Sequence, residues 1–185
     1  MPADATLNER RAPVIDGSLS GAAGRAAVLA FRRTLPETGS LLALDLSRRR
    51  IGLAGTDVGR SMVTPLLTLE RRGMVADIER LSAICGERRV AALIIGLPLD
   101  LDGRAGPMAR TMQGWARHLA AALDLPVLLQ DERLTTAAVS QAIEEGRLST
   151  PKPGAQLDHY AAAVILEDAL RAMRELPSNG APAAD

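Results

Sequence analysis

LLALDLSRRRIGLAGTD, residues 41–57, is an apolar run that meets a carboxylate, turns on basic charge and returns apolar. Leu41, Leu42, Ala43 and Leu44 predict a buried strand, and Asp45 interrupts it. A carboxylate in such a strand costs several kcal/mol unless a cation or hydrogen-bond donors meet it. Asp45 is therefore either paired or functional, the plain alternative being an exposed strand end with its charge in water. Ser47 to Arg50 supply a polar turn, and Ile51 to Ala54 go back as a second strand. Gly52 and Gly55 let that strand bend or let something approach it closely.

Working outward, the 185 residues suit one domain with appended ends, and a body of about 150 residues buries roughly two thirds of its unfolded surface. The formal net charge is zero, which argues against a high-affinity, nonspecific DNA binder; a nucleic-acid site would have to come from local arginine clustering. The lone Cys85 excludes an internal disulfide and reads as a core thiol in a reducing compartment. No apolar run approaches the roughly 18–20 residues of a membrane span. Asp4, Glu9 and Asp16 before the short AAVLAF segment make a poor signal peptide, so a cytoplasmic protein without a membrane partner is expected.

Residues 1–39 lack sustained periodicity apart from a short helix over 25–35, and are expected to be a flexible N-terminal extension. After the hairpin, 61–69 predicts a third strand, in which Pro65 argues for an edge or an interruption. Met74, Ile78, Leu81 and Cys85, with Val75 beside them, give one helical face; 91–95 is a short apolar strand. Pro107 opens a helix whose stripe of Met108, Met112, Trp115, Leu119 and Ala122 makes Trp115 a core residue rather than a base-stacking platform. A strand over 125–130 ends in Asp131-Glu132-Arg133, a capped helix reaches about residue 145, and a linker over 146–154 leads to a last helix over 155–175. The tail, 177–185, is expected to be disordered. This order predicts a mixed five-stranded α/β sheet flanked by helices, in one domain over 40–176.

Ligands in such sheets collect at the carboxyl ends of parallel strands, where Asp45, the loop 96–104 and Asp131-Glu132 would lie. Asp158 shares a helical face with Ala162, Ile165 and Ala169, and the small residues Ala161 to Ala163 let that helix come close to the sheet. The plain alternative is an acid at a helix start, favoured by the dipole. Asp45, one of Asp131 and Glu132, and Asp158 would converge, and clustered carboxylates call for Mg²⁺ or Mn²⁺. Two such ions can bind a phosphodiester and activate water. Neighbours on an extended segment point to opposite sides, which favours Glu132 over Asp131 as the ligand. Arg48, Arg49, Arg50, Arg104 and Arg133 flank the acids and could hold phosphates, or simply pair with local acids.

Four blocks, ALDLSRRRIGLAGTD, IIGLPLDLDGRAG, LPVLLQDERLTTAAV and LDHYAAAVILEDAL, stand in order over about 40–175 and resemble the YqgF/RuvX family. The resemblance implies an RNase H-like fold and a metal-dependent nuclease, with 5'-end maturation of 16S ribosomal RNA as the favoured role. Asp45 matches the family's first-strand acid, Asp131-Glu132 its acidic pair and Asp158 its last-helix acid. Ser47 stands where the family usually has glycine, and Asp100 where it often has asparagine.

Other readings remain in view. A Holliday junction resolvase acting on branched DNA shares the fold and chemistry but needs a dimer; a monomer or weak homodimer is expected here. A non-catalytic RNA-binding factor on a pre-ribosomal particle would use the acids for a structural ion. An actin-like ATPase needs two such domains, and 185 residues are too few.

Overall fold

The computed structural model describes residues 12–19, 21–100, 104–132 and 157–176. The elements run β1 (Val14–Asp16), α1 (Gly21–Thr34), β2 (Ser40–Leu46), β3 (Arg50–Thr56), β4 (Val63–Glu70), α2 (Met74–Glu87), β5 (Val90–Leu97), α3 (Pro107–Leu123), β6 (Val127–Asp131) and α4 (Asp158–Glu175). The expected helix to about residue 145, the linker after it and the tail 177–185 lie outside the described residues.

The strands form one mixed sheet in the order β1-β6-β5-β2-β3-β4. β2, β3 and β4 are an antiparallel meander, while β2, β5, β6 and β1 run parallel. Pro65 sits on the edge strand β4, beside a register shift, where its missing N–H costs no ladder bond.

The sheet has six strands where the sequence predicts five, and the expectation of a flexible extension over 1–39 fails for β1 and α1, while the short helix expected over 25–35 is found within α1. Val14–Asp16 pairs with Val127–Leu129, and the ladder continues through Val127 N to Pro13 O and Gly17 N to Leu129 O. α1 buries Val28 and Phe31 against α4, and Arg32 Nη1 donates to the carbonyls of Met173 and Leu176 at 2.9 and 3.1 Å. Two apolar anchors in an alanine-rich helix leave little periodicity, and three residues of strand gain meaning only from the β6 edge they complete.

Two apolar layers follow from the strand alternation. Leu41, Ala43, Ala54, Ala92, Ile94 and Leu128 pack under α1 and α4. Leu42, Leu44, Leu53, Leu93, Ile95 and Val127 pack under α2 and α3, where Trp115 is buried as expected. Val75, placed beside the α2 face by the sequence, is instead exposed, and Asp77 is fully buried. Among the described residues no helix is long and apolar enough to cross a membrane.

Candidate active site

Asp45 continues the Leu41–Ala43 side of β2, so its carboxylate faces α4 at the carboxyl end of the central strand. Both flanking strands carry glycine at its level. In β3 the direct partner of Asp45 is Gly52. In β5, Gly96 follows Ile95, the partner of Leu44.

Each glycine makes room for another acid. A Cβ on Gly52 would overlap the carbonyl oxygen of Asp158 and lie 2.8 Å from His159 N, so the missing side chain is what lets the first turn of α4 rest on the sheet. A Cβ on Gly96 would overlap Glu132 Oε2 and lie 2.7 Å from Ile165 Cδ1, so that space holds the Glu132 carboxylate. Glu132 follows the end of β6, where its N–H donates to Leu97 O at 3.3 Å, and Asp131 pairs with Leu97 in the ladder.

The three carboxylates share one electrostatic environment. Burial, then the charge of Asp158, pushes the Asp45 carboxyl up to about 6 against the opposing pull of Arg50. Burial, then Asp45 and Asp131, pushes Glu132 up to about 7. Arg50 is the local counter-charge: its Nε donates to Asp158 Oδ1 at 3.1 Å and lies 2.9 Å from Oδ2, outside hydrogen-bond geometry for that second oxygen. Asp158 Oδ2 is thus buried with no hydrogen bond. His159 turns the other way, with Nδ1 3.0 Å from Thr68 Oγ1, and burial lowers its pKa.

The basic residues separate by face. Arg50 engages Asp158 rather than standing free for a phosphate. Arg49 is exposed on the β2–β3 turn. Arg48, expected beside the acids, lines a cleft against α3 on the opposite side of the sheet. Arg104 is exposed on the loop before α3, and its carbonyl accepts from Asp100 N at 3.0 Å. Arg133 lies outside the described residues. Ser47 closes the turn: its N–H and hydroxyl donate to Arg50 O at 2.9 and 3.1 Å, and its Oγ accepts from Arg50 N at 3.0 Å.

The donor chemistry suits a hard divalent cation: two carboxyls pushed up by burial and then by neighbouring acids, and a buried oxygen of Asp158 lacking a hydrogen bond. With Arg50 on Asp158, no group of three potential ligands closes to metal-binding distance among the described residues. Sequence reading did not single out Gly96 as the partner of Glu132. The signal is present in IIG, where glycine falls on the side already assigned to Asp45's neighbours by alternation.

A family model described as "RuvX: Holliday junction resolvase" matches residues 39–172. A Bradyrhizobium sp. (strain ORS 278) protein named "Putative pre-16S rRNA nuclease" is 41% identical over 145 residues, covering 78% of this chain and 90% of its own. One of the same name from Rhodospirillum rubrum is 41% identical over 144 residues, covering 77% and 89%. Among solved structures, "T. thermophilus RuvC in complex with Holliday junction substrate" aligns over 71% of this chain and 95% of its own, with 15% identity and a TM-score of 0.49.

Proposed function

Because the chain belongs to the RuvX family, we propose that it is a divalent-metal-dependent nuclease whose substrate is precursor 16S ribosomal RNA, cleaved near its 5' end in the cytoplasm. The observation that carries the site assignment is the meeting of Asp45, Glu132 and Asp158 over Gly52 and Gly96 at the carboxyl ends of β2, β5 and β6. Asp131 is the adjoining acid whose charge, after burial and Asp45, helps to push the Glu132 carboxyl up.

Asp45, Glu132 and Asp158 would hold Mg²⁺ or Mn²⁺, with Arg50 swung off Asp158. Bound there, a pair of ions supplies Lewis acidity to the phosphoryl oxygens and an activated water. The chain's own residues do the rest. Asp45 and Glu132, with pKa values near 6 and 7, exchange protons near neutrality and lose them as counter-charge arrives. Arg49, Arg104 and Arg133 orient the phosphodiester backbone by guanidinium contacts, and Arg50, once released, is a further donor at the scissile phosphate. The chain acts as a monomer or weak homodimer on a pre-ribosomal particle.

The test is cleavage of a precursor 16S leader RNA and of a four-way DNA junction, with Mg²⁺, Mn²⁺ or chelator, beside Asp45→Asn. Metal-dependent RNA cutting that vanishes in the variant is the expected result. The family model's description favours a second reading, junction resolution, which cutting of the DNA alone would establish. RNA binding without cleavage of either substrate overturns the catalytic assignment.

A further inference from the structure

On the sheet face away from the acids, the β2–β3 turn and the start of α3 enclose an open cleft of about 400 Å³, lined by Arg48, Arg71, Pro107, Met108, Thr111 and Met112. We propose that this cleft seats the flanking single strand of the RNA substrate, with a phosphate between Arg48 and Arg71 and its nucleoside over Pro107, Met108 and Met112. The proposal rests on the RNA-nuclease reading and extends it to a second contact region.

Arg71 is a fixed donor. Its Nη1 donates to Ser47 O at 3.0 Å, its Nε reaches the fully buried Asp77 at 3.4 Å, and its guanidinium lies over the Trp115 ring at 4.2 Å. Its Nη2 has no partner among the described residues. Asp77 does not neutralise the site, because Arg80 stands 3.6 Å from the same carboxylate and the Arg72 N–H donates to it at 2.9 Å. A guanidinium already held on three sides loses little freedom when an anion arrives.

Arg48 is the complementary donor, exposed and without a partner among the described residues. Among the described residues no acid lines the cleft, and Thr111 turns its hydroxyl back to Pro107 O at 3.0 Å, leaving an apolar floor between two cations. That pairing suits a phosphodiester with its sugar and base better than a free inorganic anion, which gains nothing from methionine and proline surface. Continuity points to a strand: the turn that carries Arg48 begins two residues after Asp45, and the loop before α3 leaves β5 one residue after Gly96.

The experiment measures RNA affinity across a salt series in an Asp45→Asn background, with a short RNA that spans only the acids and one extended by a single-stranded flank. Thr111→Glu places a repelling charge in the cleft at an exposed site in the first turns of α3, where the helix dipole tolerates it. Arg48→Gln removes one donor, and Arg117→Gln, exposed elsewhere on α3, controls for lost charge. Expected are several-fold weaker binding of the extended RNA by the first two variants alone, and a salt slope shallower by about 0.7 for Arg48→Gln, the value for one single-stranded phosphate contact. Equal affinity of all variants for the extended RNA, or mononucleotide binding as strong as that of the extended RNA, overturns the cleft. Failure of the Asp45→Asn chain to bind any RNA overturns the RNA reading as well, whereas RNA cleavage by the unsubstituted chain with the cleft variants binding normally overturns the cleft alone.

Discussion

Gly96→Ala separates catalysis from stability. The added methyl would overlap Glu132 Oε2 and stand 2.7 Å from Ile165 Cδ1, in a strand position with no access to solvent. Overpacking a core costs typically about 1–3 kcal/mol, more where backbone must shift. Both neighbours here are side-chain ends that can turn away, so the cost falls near about 1 kcal/mol, at the bottom of that range. The carboxylate that turns is Glu132, and misplacing a reacting group by about 1 Å costs on the order of 10²-fold in rate. Urea unfolding and single-turnover cleavage of a leader RNA with saturating Mg²⁺ therefore part company: nearly normal stability, activity down about a hundredfold. Full activity with the chain folded would refute the placement of Glu132 at the scissile phosphate. A loss beyond about 3 kcal/mol would show that the space above Gly96 is ordinary core.

Gly52→Ala meets the Asp158 backbone instead, so α4 must lift, and a loss at or above the upper end, about 3 kcal/mol, together with loss of activity is expected by urea unfolding and cleavage. Asp45 near 6 and Glu132 near 7 lie above their unfolded values of 3.8 and 4.5, so between those limits the folded chain binds more protons than the unfolded one and metal-free stability falls as pH rises. Asp45→Asn should therefore stabilise the chelator-treated chain by about 1–3 kcal/mol near pH 8 and hardly at all near pH 4, a difference read by paired urea titrations. Arg50→Gln removes a half-exposed guanidinium from the largely buried Asp158, costing about 0.5–1 kcal/mol in chelator and less with saturating Mg²⁺, as thermal melts in both conditions would show. Arg71→Ala strips a main partner from the fully buried Asp77 and uncovers Trp115, for an expected loss of about 2–4 kcal/mol by urea unfolding; a loss under about 0.5 kcal/mol would contradict the network.

Much of this was legible in the chain. Asp45 announces itself by breaking an apolar strand, and alternation alone sets which side it faces. Pro65 marks the edge strand, and the spacing of Asp158 from Ala162, Ile165 and Ala169 sets the buried side of α4. What could not be read are pairings that only the closed fold creates. Arg50 and Asp158 are 108 residues apart, and the sequence, which brings both near the same site, does not say that this arginine rather than its neighbours takes this acid. Asp77 looks like an exposed acid in a helix's first turn until Arg71, Arg72 and Arg80 close around it. β1 and the first turn of α1 look like part of a flexible extension because their apolar anchors are sparse, and only the outer edge of β6 and the flank of α4 turn them into structure.

The pairing of Arg50 with Asp158 bears on how the site tolerates its own charge. Three carboxylates drawn onto one face repel, and burial deepens the cost for Asp45 and Glu132. Two of them meet it by holding protons more tightly, and the third by taking a guanidinium from the adjacent strand. Both remedies are releasable near neutrality: protons leave as pH rises through about 6 to 7, and a half-exposed arginine swings away at a cost of under about 1 kcal/mol. Cation uptake at this site is therefore coupled to proton release and to the freeing of Arg50. Affinity for Mg²⁺ should climb with pH across that window, and it should climb less steeply in Asp45→Asn, which has one proton fewer to give up.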